Sequence, residues 1–134
     1  MGQAEDAMIS ALIIEDWPST RRVIRRAIMT MFEGRVRVVE ADSATEAVSA
    51  LRVDSFDVVI SDFNLGATSG LDVLDFLRAE QPHMVDKFVF FTSTSGIGEV
   101  HHKVISKDDA ARFPELLAVA MPSLATARAG GASS

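Results

Sequence analysis

Asp57-Val58-Val59-Ile60-Ser61-Asp62-Phe63-Asn64 is the stretch on which the fold turns. Its centre is apolar without alternation, the pattern of a short strand buried on both faces, as in a parallel sheet. The run closes on a carboxylate, Asp62, with Asn64 two residues beyond. Moving outward, the same pattern recurs. Ser10 to Glu15 is a short apolar run ending in the acidic pair Glu15-Asp16, and Val36 to Glu40 reads as a second strand. Lys87 to Phe91 is a fourth strand leading to Thr92, and His102 to Ser106 a fifth leading to Lys107.

Helical spacing fills the intervals. Trp17-Pro18-Ser19 opens a helix, since proline is tolerated in a first turn. Val23, Ile24, Ala27, Ile28 and Met31 should face inward, and Gly34 supplies a stop. Arg21, Arg22, Arg25 and Arg26 then form the opposite face, read as solvated rather than as a partner surface. Ser43-Ala44-Thr45-Glu46 has capping-box spacing, so a helix burying Ala47, Val48 and Leu51 should begin there. Asn64 to Gly70 is turn-like. Leu71, Leu74 and Leu77 belong to a third helix that stops before Pro82. Asp108 to Met121 carries the last helix, burying Phe113, Leu116, Leu117 and Ala120, with Pro114 as an alternative start. Strands and helices alternate, which predicts a parallel sheet with helices on both faces.

Composition agrees with one domain. The chain has 134 residues, 48% of them hydrophobic, and a net charge of −6. An acidic chain lacks the basic stripe of a nucleic-acid surface. With no cysteine, disulfides and thiol chemistry are excluded. No apolar run reaches the roughly 18 residues of a membrane span, and a secretion signal is not evident. The expectation is a cytoplasmic protein with a loose N-terminus at 1–8, a folded domain at 9–122 and a disordered Ala/Gly/Ser tail at 123–134.

In open α/β sheets, ligands bind at the carboxyl edge of the strands. Here that edge should gather Glu15, Asp16, Asp62, Asn64, Thr92 and Lys107. A carboxylate attacks a phosphoryl group poorly while both are negative, and a divalent cation removes the repulsion. Magnesium prefers a few carboxylate or carbonyl oxygens plus water. Glu15, Asp16, Asp62 and a carbonyl near Asn64 meet that demand. Lys107 can pair with a phosphoryl oxygen, and Thr92 can donate to another. The product would be an aspartyl phosphate on Asp62.

From Ser10 to about Met121 the chain resembles a response-regulator receiver domain of two-component signalling, most strongly over Phe56 to Leu74. The resemblance implies a flavodoxin-like doubly wound five-stranded parallel sheet in the order 2-1-3-4-5. It makes Asp62 the phosphoacceptor, Glu15, Asp16 and Asp62 the metal carboxylates, and Asn64 the lender of a backbone carbonyl to Mg2+. Gly70 matches the glycine opening the third helix, Thr92 the switch hydroxyl and Lys107 the lysine of the site. It further implies a sensor histidine kinase or histidine phosphotransfer protein as donor and a downstream protein partner, with a homodimer possible.

The departures are specific. Fifteen residues from Thr92 to Lys107 are too few for the usual loop, helix and strand, so the fourth helix is expected to be reduced or absent. Asp108 follows Lys107 where proline is usual, Val104 stands in place of a switch aromatic, and Gly66 replaces a common proline. These motivate an alternative reading, a pseudo-receiver acting as a phosphorylation-independent interaction module. A haloacid-dehalogenase-type phosphatase would need a second aspartate where Asn64 stands. A separate catalytic activity is not expected. His101-His102 are adjacent on a strand and point to opposite faces, which makes a shared metal site improbable.

Overall fold

A computed structural model describes residues 8–94 and 102–124. Residues 1–7 and 125–134 of the expected tails, and most of the loop expected from Ser93 to Glu99 in place of a fourth helix, lie outside the described residues, as does His101. The folded domain runs past the expected end at 122, because 122–124 are helical and Leu124 is buried in the core layer with Phe113 and Leu117. Within them the elements are β1 (Ile9–Ile14), α1 (Pro18–Met31), β2 (Val36–Ala41), α2 (Ala44–Val53) and β3 (Val58–Ser61). A small hairpin follows, β4 (Asn64–Leu65) and β5 (Thr68–Ser69), then α3 (Gly70–Glu80), β6 (Phe88–Thr92), β7 (Val104–Ser106) and α4 (Phe113–Ala120).

The main sheet is parallel in the order β2-β1-β3-β6-β7. Setting the hairpin aside, this is the doubly wound 2-1-3-4-5 order that the resemblance implied. Alternation along each strand divides the core between the two faces. Ala11, Ile13, Val58, Ile60, Val89, Phe91 and Ile105 pack with Ile24 and Ile28 of α1 and Phe113 and Leu117 of α4. Leu12, Ile14, Val59, Phe88 and Phe90 pack with Ala47 and Leu51 of α2 and Val73, Leu74 and Leu77 of α3. Each fully buried Leu or Ile in these layers contributes on the order of 1.5–3 kcal/mol.

Several local expectations need correction. Val23 is 59% exposed, because the inward stripe of α1 centres on Ile24, Ile28 and Met31 and leaves 23 at its margin. At α2, Ser43 does accept from the Glu46 amide, but the Glu46 carboxylate accepts from the Asp42 amide, one residue further out. The reciprocal capping box sits instead at α3, between Ser69 and Asp72. The last helical region is split: a 3-10 segment covers Lys107–Arg112, and the α-helix begins at Phe113 with Pro114 in its first turn. That is the alternative start marked by the proline. The fifth strand is shorter than expected, Val104–Ser106.

The arginine face of α1 is only partly a solvated face. Arg21 and Arg25 both pair with Glu40 of β2, at 2.7 and 2.9 Å, while Arg22 and Arg26 are exposed. Burial alone would raise the Glu40 carboxyl, but the hydrogen bonds from the two guanidinium groups outweigh it and lower its pKa.

Candidate functional site

Glu15 and Asp16 follow β1 directly, Asp62 follows β3, Thr92 ends β6 and Lys107 follows β7, so parallel registration brings all of them to the carboxyl edge. Lys107 is the hub. Its Nζ donates to Glu15 Oε1 and to Asp62 Oδ2, both at 2.8 Å. Glu15 is wholly buried, and its second oxygen accepts the Trp17 amide at 3.2 Å. Burial raises the Glu15 carboxyl above its ordinary value against the pull of Lys107. For Lys107, burial favours the neutral amine, yet the bonds to Asp62 and Glu15 outweigh it and hold its pKa above the usual lysine value.

One oxygen each from Glu15, Asp16 and Asp62 lie within 4.8 Å of one another. Three carboxylates and one ammonium leave the cluster two charges negative. Asp16 Oδ1 is buried without a hydrogen-bond partner. An unpartnered buried oxygen beside two other carboxylates costs free energy unless a cation completes it, so the donor set fits a hard divalent ion such as magnesium. Neither acidic residue caps α1: its N-cap is Trp17, with no side-chain cap bond.

The surrounding cleft, about 380 Å³, is lined by Asp16, Trp17, Asp62, Asn64, Gly66, Ser93, Thr94 and Lys107. Trp17 stands 66% exposed at its lip. The Asn64 amide points at Asp62 Oδ1 from 3.4 Å, and the Asn64 side chain accepts the Gly66 amide, holding the hairpin turn. Gly66 has φ +77°, and a Cβ there would sit 3.7 Å from Asp16 Oδ2. Proline, fixed near φ −65°, could not adopt this turn. Thr92 is buried at the end of β6, and its hydroxyl oxygen accepts the Thr94 amide at 3.1 Å.

Gly70 explains why the third helix opens on a glycine. A Cβ there would overlap the Asp62 carbonyl oxygen and come within 2.8 Å of Ser61 Oγ and 3.1 Å of a Phe90 ring carbon. The Gly70 amide donates to the Phe63 carbonyl at 2.7 Å, and Ser69 Oγ donates to the same oxygen at 3.1 Å. The floor under Asp62 is therefore built from backbone at close range.

Sequence reading gathered Glu15, Asp16, Asp62, Asn64, Thr92 and Lys107 at one edge. Asp16, Asp62, Asn64 and Lys107 line the cleft, while Glu15 is buried behind it on Lys107 and Thr92 is buried with its hydroxyl on the Thr94 amide. Sequence reading passed over Gly66, Ser93 and Thr94 as lining residues. Their signal was only adjacency to Asn64 and Thr92. Val104, at the position of the expected aromatic, is 43% exposed.

A family model, the response regulator receiver domain, matches residues 11–110. Chemotaxis protein CheY of Pseudomonas aeruginosa is 31% identical over 70 residues, covering 52% of this chain and 55% of that one. The nitrate/nitrite response regulator protein homolog of Haemophilus influenzae is 38% identical over 72 residues, 54% of this chain and 34% of that one. The aligned region thus spans about half the length of these relatives or less. Among solved structures, a CheY-like receiver domain from Methylobacillus flagellatus superposes with a TM-score of 0.69 at 24% identity, covering 84% of this chain and 98% of that one. A LuxR-family two-component response regulator from Aurantimonas sp. gives 0.71 at 22% identity, covering 95% and 99%. At these identities the superpositions speak to the fold.

Proposed function

The chain belongs to the response regulator receiver domain family, and on that premise we propose that it signals by accepting a phosphoryl group on Asp62, with magnesium bound at the acidic cluster. The donor would be the phosphorylated histidine of a sensor kinase or phosphotransfer protein in the cytoplasm, and the output an altered contact with another protein. The observation that carries this reading is the Lys107 ammonium held at 2.8 Å by both Asp62 and Glu15, beside the partnerless Asp16 oxygen.

Asp16, Asp62 and the Asn64 backbone carbonyl would hold the ion, with Glu15 adding charge from behind. Magnesium, when bound, offsets the negative charge that keeps a carboxylate and a phosphoryl group apart. An Asp62 oxygen attacks phosphorus as the phosphorus–nitrogen bond to the donor imidazole breaks. The electron pair stays on that nitrogen, which is then protonated. Lys107 can move from Asp62 to a phosphoryl oxygen while Glu15 keeps its other hydrogen bond. The Thr92 oxygen accepts from Thr94 and still has its own proton to donate to a second phosphoryl oxygen.

The test is intact mass after incubation with acetyl phosphate and magnesium. A single phosphoryl adduct on the wild type and none on Asp62→Asn is expected. No adduct from acetyl phosphate or from any phosphorylated histidine protein would refute the reading. One observation favours a second reading, a phosphorylation-independent interaction module: Val104 is exposed where the family places its switch aromatic. That reading requires equal partner binding by the wild type and Asp62→Asn.

A further inference from the structure

Arg21 stands outside the cleft yet touches the chain that carries its carboxylates. Its Nη1 donates to the Glu15 carbonyl oxygen at 2.7 Å, and its Nε donates to Glu40 Oε1 at 2.7 Å. Glu40 is held in turn by Arg25 Nη1 at 2.9 Å. The Glu15 carbonyl belongs to the peptide joining Glu15 to Asp16. Orientation of that peptide sets ψ of Glu15 and φ of Asp16, and therefore the directions of both side chains. The side chain of Arg21 is only 20% exposed, and its planar fork fixes two acceptors at once.

We propose that Arg21 is a positioning residue for the metal site, clamping the Glu15-Asp16 peptide against Glu40 at the end of β2 so that Asp16 Oδ1 stays aimed into the cluster. The inference rests on the magnesium reading above. Pairing with Glu40 has a second effect: it engages the guanidinium behind the site, so the cation holds the backbone rather than competing for the carboxylates. Partners that orient ligating groups typically change metal affinity by about 10–100-fold when removed.

The sign of the effect separates positioning from charge. Deleting a cation near an anionic site should strengthen magnesium binding by Coulomb's law. Loss of the clamp should weaken it. Arg25 shares Glu40 but does not touch Glu15, so Arg25→Ala removes the same charge and leaves the clamp in place. Magnesium affinity would be measured by titration calorimetry, with Trp17 fluorescence as a second readout, on the wild type, Arg21→Ala, Arg21→Lys and Arg25→Ala.

About tenfold weaker binding is expected for Arg21→Ala. Several-fold weakening is expected for Arg21→Lys, whose single ammonium lacks the fork, and Arg25→Ala should bind as tightly as wild type or tighter. If Arg21→Ala does not fold, Arg21→Lys decides. Binding by the Arg21 variants within twofold of wild type would overturn the clamp, as would an equal loss in Arg25→Ala. A wild type in which magnesium produces neither heat nor a change in Trp17 fluorescence would instead overturn the metal reading on which the clamp rests.

Discussion

Replacing Asp16 with asparagine should stabilise the metal-free protein while removing its response to magnesium. One oxygen each from Asp16, Glu15 and Asp62 lie within 4.8 Å of one another. Two unit charges at that distance repel by about 3.5 kcal/mol at an effective dielectric of about 20. Asp16 takes part in two such repulsions. The Lys107 ammonium, shared by the other two carboxylates, offsets roughly one of them. Asp16 is half-buried, so water and ions weaken what remains, and a net gain of about 1–2 kcal/mol is expected in Asp16→Asn. The new amide can also donate a hydrogen bond where Asp16 Oδ1 had no partner. The assay is urea denaturation in chelator and in magnesium. Wild type should gain about 2.7 kcal/mol when magnesium stands at about 100 times its dissociation constant, and the variant should gain little. In thermal melts the chelator difference would appear as a rise of about 3–8 °C. An Asp16→Asn protein that is no more stable than wild type in chelator would refute the reasoning, because the carboxylate would then be engaged in the fold and not held ready for a cation.

Three further outcomes are expected. Lys107→Met leaves Glu15 buried with only the Trp17 amide, so the metal-free chain should lose about 3 kcal/mol by urea denaturation; a loss under about 1 kcal/mol would refute this. Gly70→Ala forces a methyl group onto the Asp62 carbonyl, and destabilisation of about 1–3 kcal/mol is expected; an unchanged melting temperature would refute the close approach. His102 donates from Nε2 to the Phe88 carbonyl at 2.6 Å and lies against the rings of Phe88 and Phe90. Burial there lowers its pKa below the ordinary 6.5, so the unfolded chain binds the proton more tightly than the folded one. The stability held by neutral His102 is therefore complete above pH 6.5 and declines as the pH falls toward the lower folded value. His102→Gln should flatten the wild-type decline across that window, and parallel curves would count against the assignment.

Much of this was legible because parallel strands buried on both faces leave little room for alternative patterns. Val58 to Ser61 and Phe88 to Thr92 announce themselves as uninterrupted apolar runs, and the residues just beyond such runs must lie at the sheet edge. Pro114 marked the true start of the last helix through its missing amide. What escaped were features set by contacts between segments distant in sequence. Val23 matched the helical period, yet the width of the buried stripe is fixed by what α1 packs against. The hairpin from Asn64 to Ser69 rests on Gly66 at positive φ and on Thr68 Oγ1 accepting the Ala44 amide from α2, 24 residues away. Arg21 looked like one of four equivalent surface cations because Glu40 reaches it only across the β1–β2 crossover.

Lys107 reaches its partners across 92 residues to Glu15 and 45 to Asp62. During N-to-C synthesis the three carboxylates are therefore made before their counter-charge. A nascent or proteolysed chain that ends short of Lys107 carries the complete acidic triad with nothing to balance it. The site is thus complete only when β7 is docked on β6. If Asp62 takes up a phosphoryl group as proposed, competence to do so would then report completion of the whole sheet.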